Sequence, residues 1–244
     1  MKTVLGQEVK GWEDFPDNQL LRCPKQKQYE AELLLTIPKG SSFIDIGAHY
    51  GDTVITMALF AQANLRADIR FFAFEPNIAK CEHMRRICQL NQLSVNVLQT
   101  AVGDAHRRVS RSSQYAAESG QSTYVADAAG TVDMAPLDDF AAVLQPVGYL
   151  HIDAEGWDAH CLLGARRILH RDAPYVIAEL WSSATALRNG FSGQMEADIA
   201  AAMRPHTKLV RQKNVVDQET NMVFYPAGQV AKLRALRQLI TSLQ

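Results

Sequence analysis

Phe43-Ile44-Asp45-Ile46-Gly47-Ala48-His49-Tyr50-Gly51-Asp52-Thr53 is the stretch that decides how this chain folds. Phe43, Ile44 and Ile46 are apolar and favour an extended strand, while Gly47 and Gly51 permit torsions and a close ligand approach that side chains would block. Beyond them, Val54, Met57, Ala58 and Ala61 recur at the spacing of one helical face. The stretch therefore reads as a strand, a glycine turn and a helix whose N-terminal amides point toward a ligand.

Asp45 stands two residues before the first glycine. A pyrophosphate there would meet a negative charge, so an ordinary dinucleotide site is disfavoured and an ammonium or sulfonium is favoured. S-adenosylmethionine carries both cations and a carboxylate, and Asp45-x-Gly47-x-x-x-Gly51 resembles the first motif of class I methyltransferases. The plain alternative is a structural turn with a surface aspartate.

Ile69 to Phe74 is a β-prone apolar run closed by Pro76, which puts Glu75 at the carboxyl end of a second strand. Ligands of open α/β sheets sit outside those ends, and an acid at this one accepts both hydroxyls of a ribose. Glu75 would serve the ribose of NAD as well, so an NAD-dependent dehydrogenase is a competing class, and a helix-capping acid before Asn77 is the structural alternative. A helix over 78–91 leads to a third strand, Val95 to Thr100. Its exit, Ala101-Val102-Gly103-Asp104, is where an adenine would lie, with Asp104 accepting from the amino group or serving as a simple turn residue.

Val147 to Ile152 reads as a fourth strand, and alternation sets His151, Asp153 and Glu155 on one side if the extended backbone runs on to Gly156. An alcohol oxygen that receives a methyl group must be held in line and must lose its proton. Asp153 is the leading candidate for that role, Glu155 is a second candidate or a brace of the turn, and His151 reads as a packed strand histidine. A fifth strand, Tyr175 to Leu180, brings Glu179 to the same crevice. Three such acids suit magnesium, but no spacing signature supports a metal and none is expected.

The quoted first motif, then Phe74-Glu75-Pro76, then Leu150-His151-Ile152-Asp153-Ala154-Glu155-Gly156, together resemble the FkbM family of methyltransferases from about Ile37 to Leu180. The resemblance implies an α/β, Rossmann-like class I methyltransferase fold. Its sheet would be mostly parallel and seven-stranded with an antiparallel last strand, and helices would cover both faces. It further implies S-adenosylmethionine as donor and usually a hydroxyl as acceptor. Donor contacts then fall on Asp45, Gly47, Ala48, His49, Gly51, Glu75, Pro76, Gly103, Asp104 and Asp153, and the chemistry on Asp153, Glu155 and Glu179. The family usually has lysine where this chain has His151, so no role of that lysine transfers. A non-catalytic adenosyl-ligand-binding or partner subunit remains an open alternative.

The remaining sequence sets bounds. A chain of 244 residues, 47% hydrophobic, buries one sizeable core, and the net charge of -1 argues against a general polyanion surface, hence against nucleic acid. No Pro-Pro-aromatic motif of the nucleic-acid amino methylases occurs. With no apolar run of membrane-spanning length and no signal-like start, a cytoplasmic protein acting on a small-molecule hydroxyl acceptor is expected. Cys81 and Cys88 share a helical face with Met84 and read as buried thiols. Residues 1–36 read as an irregular arm with a short helix over Tyr29 to Leu34, and 37–244 as the catalytic domain, with 105–134 a hairpin or flap over the acceptor. Asp158 to Leu169 and Met195 to Met203 read as helices, with Phe191 between them as a wall of the acceptor pocket. Thr207 to Arg211 and Asn221 to Tyr225 read as closing strands, and Val230 to Leu243 as a final helix.

Overall fold

The computed structural model describes residues 3–11, 13, 24–111, 124–144, 146–180, 192–213 and 220–226. The chain starts with a small hairpin, β1 (Thr3–Val4) and β2 (Gln7–Glu8), turned by Leu5 and Gly6 at positive φ. Val4 and Val9 are buried against the core, so this part of the expected irregular arm is ordered by apolar contact. Helix α1 (Pro24–Thr36) is longer than the sequence suggested and buries Ala31, Leu33 and Leu34.

The main sheet begins with β3 (Ser42–Ile46), followed by α2 (Asp52–Ala63), β4 (Arg70–Phe74), α3 (Ile78–Leu90) and β5 (Val95–Leu98). A second, four-stranded sheet then interrupts it. This consists of β6 (Ala101–Val102), β7 (Arg107–Arg111), β8 (Tyr124–Ala126) and β9 (Val132–Ala135), in the order β6-β9-β7-β8. The region expected as a hairpin or flap contributes, over its described residues, β7 paired antiparallel with both β8 and β9 around buried Val109 and Met134. The third strand correspondingly stops at Leu98 rather than Thr100, because Ala101–Val102 pairs with Met134–Ala135.

A short 3-10 turn (Leu137–Phe140) and α4 (Ala141–Leu144) return the chain to β10 (Val147–Ile152). The helix expected over 158–169 is two helices, α5 (Asp158–Gly164) and α6 (Arg166–Asp172). They part where Gly164 packs on the carbonyl of Gly103, which a Cβ there would approach to 1.9 Å. β11 (Tyr175–Leu180), α7 (Gly193–Ala202), β12 (His206–Lys213) and β13 (Thr220–Pro226) follow. The expected helix over 230–243 and Phe191 lie outside the described residues.

The main sheet has seven strands in the order β12-β13-β11-β10-β3-β4-β5. β11, β10, β3, β4 and β5 run parallel, and β13 is antiparallel to both its neighbours. Alternation along the parallel strands feeds two cores. Phe43, Phe71, Tyr149 and Ile177 face α1, α2 and α3, whereas Ile44, Phe72, Leu150 and Val176 face α4, α5, α6 and α7. Among the described residues no helix is long and apolar enough to cross a membrane.

Candidate active site at the carboxyl ends of the parallel strands

β3 is the middle one of the five parallel strands, flanked by β10 on one side and β4 on the other, and the carboxyl ends of all three open onto one edge. Gly47 and Ala48 leave β3 with both amides donating to the carbonyl of Phe74, which holds the loop against the end of β4. His49 then takes a positive φ of 53°, unusual for a residue with a side chain, and its amide donates to Glu75 Oε2 at 3.0 Å. Gly51, at φ 87°, opens α2.

The glycines were expected to leave room for a ligand. Packing within the protein already demands them. A Cβ on Gly47 would lie 1.9 Å from the carbonyl oxygen of Asp153, and one on Gly51 would press on Met84 and Ile55 at 2.7 and 2.8 Å.

Glu75 directly follows β4, its backbone amide donating to the carbonyl of Leu98, and is only 4% exposed. Its Oε1 accepts from the amide of Asn77 at 2.8 Å and its Oε2 from that of His49, leaving further acceptor capacity on both oxygens. Asn77, not Glu75, caps α3, accepting from Ala79 and Lys80. Burial raises the Glu75 carboxyl above its ordinary range, opposed by the charge of Lys80 and by the two amides. Lys80 is also buried, which lowers its ammonium, and its Nζ lies 5.6 Å from the centre of the Tyr50 ring. Sequence reasoning missed Lys80, although its place on the first turn after Asn77 was readable.

Asp45 does not present a lone charge to the ligand side. It is 1% exposed, with Oδ1 2.8 Å from His151 Nδ1 and Oδ2 accepting from the amide of Val54 at 3.2 Å. One of the helix amides expected to meet a ligand is therefore taken by Asp45. His151, expected as a packed strand histidine, is packed and also ion-paired. Burial pulls its imidazolium down, but the hydrogen bond and charge of Asp45, helped by Glu30 and Asp153, outweigh this and raise it to about 10.

Asp153 is the first residue past β10, its amide donating to the carbonyl of Ile46, and its side chain is exposed at the edge. The extended backbone ends sooner than expected, since Glu155 itself adopts φ 51° and Gly156 φ 92°. Glu155 thus belongs to a tight turn and does not continue the alternation. Asp158, buried at the start of α5, accepts from the amides of Ala154 and Gly156 at 3.4 and 3.3 Å and braces that turn. Burial, with the charge of Asp153, lifts the Asp158 carboxyl well above its ordinary value. Glu179 stands in β11 opposite Asn221, and its side chain lies outside the described residues. Among the described residues, no three His, Cys, Asp or Glu side chains gather to hold a metal.

Gly103 and Asp104 follow β6 and are engaged by the second sheet. Gly103 abuts Met134, while Asp104 Oδ1 lies 3.0 Å from Arg107 and 3.1 Å from His160. Trp157 ties that sheet to the edge, donating from Nε1 to the carbonyl of Tyr124 at 2.8 Å with Arg107 over its ring. Burial and the charge of Glu75 push the Tyr124 phenol up to about 12. The hairpin therefore comes within electrostatic reach of Glu75.

A family model described as the methyltransferase FkbM domain matches residues 45–198. No curated protein matches the chain. Among solved structures, a methyltransferase FkbM from Methylobacillus flagellatus KT aligns with 85% of this chain at 15% identity and a TM-score of 0.54. That alignment covers 47% of the Methylobacillus chain, so the present chain spans about half its length. Fibrillarin from Aeropyrum pernix, solved with natively bound S-adenosyl-L-methionine, aligns over 91% of this chain and 85% of its own at 13% identity and a TM-score of 0.49.

Proposed function

The chain belongs to the FkbM methyltransferase family, and from that premise we propose that it moves a methyl group from S-adenosylmethionine to a hydroxyl of a small molecule, such as a sugar or natural product. The observation that carries the reading is the order of acids along one edge. The glycine loop leaves β3, the middle parallel strand, with buried Glu75 at the end of β4 on one side and exposed Asp153 at the end of β10 on the other.

The residues present suit the donor. Glu75 is ionisable, held by two amides, and retains acceptor sites for two neighbouring ribose hydroxyls. Ala48, His49 and Pro76, in the turns that leave β3 and β4, would contact the donor, as would Gly103 and Asp104 after β6. When bound, the donor supplies an electrophilic methyl carbon on a sulfonium. Asp153 would orient the acceptor hydroxyl and take its proton, so that the oxygen could bond to the methyl carbon while the carbon–sulfur bond breaks and its electron pair stays on sulfur. Glu155 and Glu179 would flank the acceptor. A small acceptor in the cytoplasm is the reading we prefer, and the net charge of -1 lends no support to a general polyanion partner.

Incubation with methyl-labelled donor and a panel of sugars and hydroxylated aromatics tests this. Label in an ether-linked product supports it. Donor binding without transfer to any acceptor class, proteins included, would point instead to a binding subunit.

A further inference from the structure

We infer that His151 is a positioning residue for the donor loop, its cationic ring holding Asp45 inward so that this carboxylate clamps the first turn of α2 to the sheet. The word donor rests on the function proposed above; the clamp itself rests on geometry. His151 and Asp45 are register partners on adjacent parallel strands, β10 and β3, and are 7% and 1% exposed. One Asp45 oxygen meets the His151 ring at 2.8 Å and the other meets the Val54 amide at 3.2 Å. A single buried carboxylate thus joins two strands to the helix that ends the Gly47–Gly51 loop.

A carboxylate this deep is strongly disfavoured without a cation. With a neutral ring at His151, Asp45 would lose its counter-charge and would be held less firmly against the Val54 amide. The charged groups facing the ring are Asp45 from β3, Glu30 from α1 and Asp153 from the exit of its own strand, all acids, and all favour the imidazolium. Lys27 of α1 is turned instead to Asp52, at 3.0 Å.

Three proteins test this, namely wild type, His151→Gln and His151→Lys, the last restoring a cation. Amide hydrogen exchange is followed over residues 47–55, and adenosylhomocysteine affinity is measured by calorimetry. In His151→Gln, exchange at Val54 and its neighbours should quicken on the order of tenfold or more and affinity should fall by a similar factor, while amides of β4 and β11 stay protected. His151→Lys should recover most of both. Unchanged exchange in the Gln variant, or a uniform loss across the sheet, would overturn the inference. Should that variant fail to fold, ring resonances of wild-type His151 decide the matter, since the clamp requires a cationic ring from pH 6 to beyond pH 8 and a ring titrating at the ordinary value of 6.5 refutes it. Wild type that does not bind adenosylhomocysteine refutes the donor reading and leaves the exchange comparison to judge the clamp.

Discussion

The backbone carbonyl of Asp153 fills the space where a side chain on Gly47 would stand, 1.9 Å from an ideal Cβ. The loop leaving β3 and the backbone that ends β10 are therefore in direct contact. Gly47 also has φ 78°, which other residues adopt at a cost. Gly47→Ala should lower stability by about 1–3 kcal/mol and displace Asp153, so that melting temperature and turnover fall together. A variant with wild-type melting and turnover would show that the two backbones are not in contact.

Glu75→Gln keeps the shape of the side chain and removes its charge. Adenosylhomocysteine binding should weaken by about 1–3 kcal/mol, because two ribose hydroxyls lose a charged acceptor. Calorimetry giving an unchanged dissociation constant would remove Glu75 from the donor site.

Asp153→Asn should separate binding from chemistry. Affinity for adenosylhomocysteine should stay near wild type while turnover falls by roughly 10²–10⁴-fold, the scale expected when acid-base help is lost. Wild-type turnover by the folded variant on its true acceptor would leave Asp153 as a structural residue.

The His151–Asp45 pair has a signature in stability against pH. The folded imidazolium titrates at about 10 against 6.5 ordinarily, so its contribution is complete below about pH 6.5 and fades as pH rises through about 10. Between those values the melting-temperature advantage of wild type over His151→Gln should shrink steadily. An advantage constant across that window would mean that the ring is not charged in the folded protein.

Much of the fold was legible because the buried strands are compact apolar runs: Phe43 to Ile46, Phe71 to Phe74 and Val147 to Ile152 each announce themselves. The break between α5 and α6 was hidden, since Leu162, Ala165 and Leu169 keep helical spacing across it and only the distant carbonyl of Gly103 shows why Gly164 matters. The second sheet was faint because its core is small, with Val109 and Met134 supplying much of the burial between polar neighbours. At the site, Glu75 and Asp153 could be placed from strand ends alone. The partner of Asp45 could not, because His151 lies 106 residues away and their meeting depends on the register of two parallel strands. The positive φ at Glu155 was equally invisible, since the turn is braced by Asp158 from the following helix.

Titration of the purified protein with adenosylmethionine and adenosylhomocysteine, with NAD as the comparison, tests the central claim most directly. Saturable binding of both adenosyl ligands, accompanied by a rise in melting temperature and no response to NAD, is the result predicted. Binding of NAD with no heat from either adenosyl ligand would contradict it and assign the glycine loop and Glu75 to a nicotinamide cofactor.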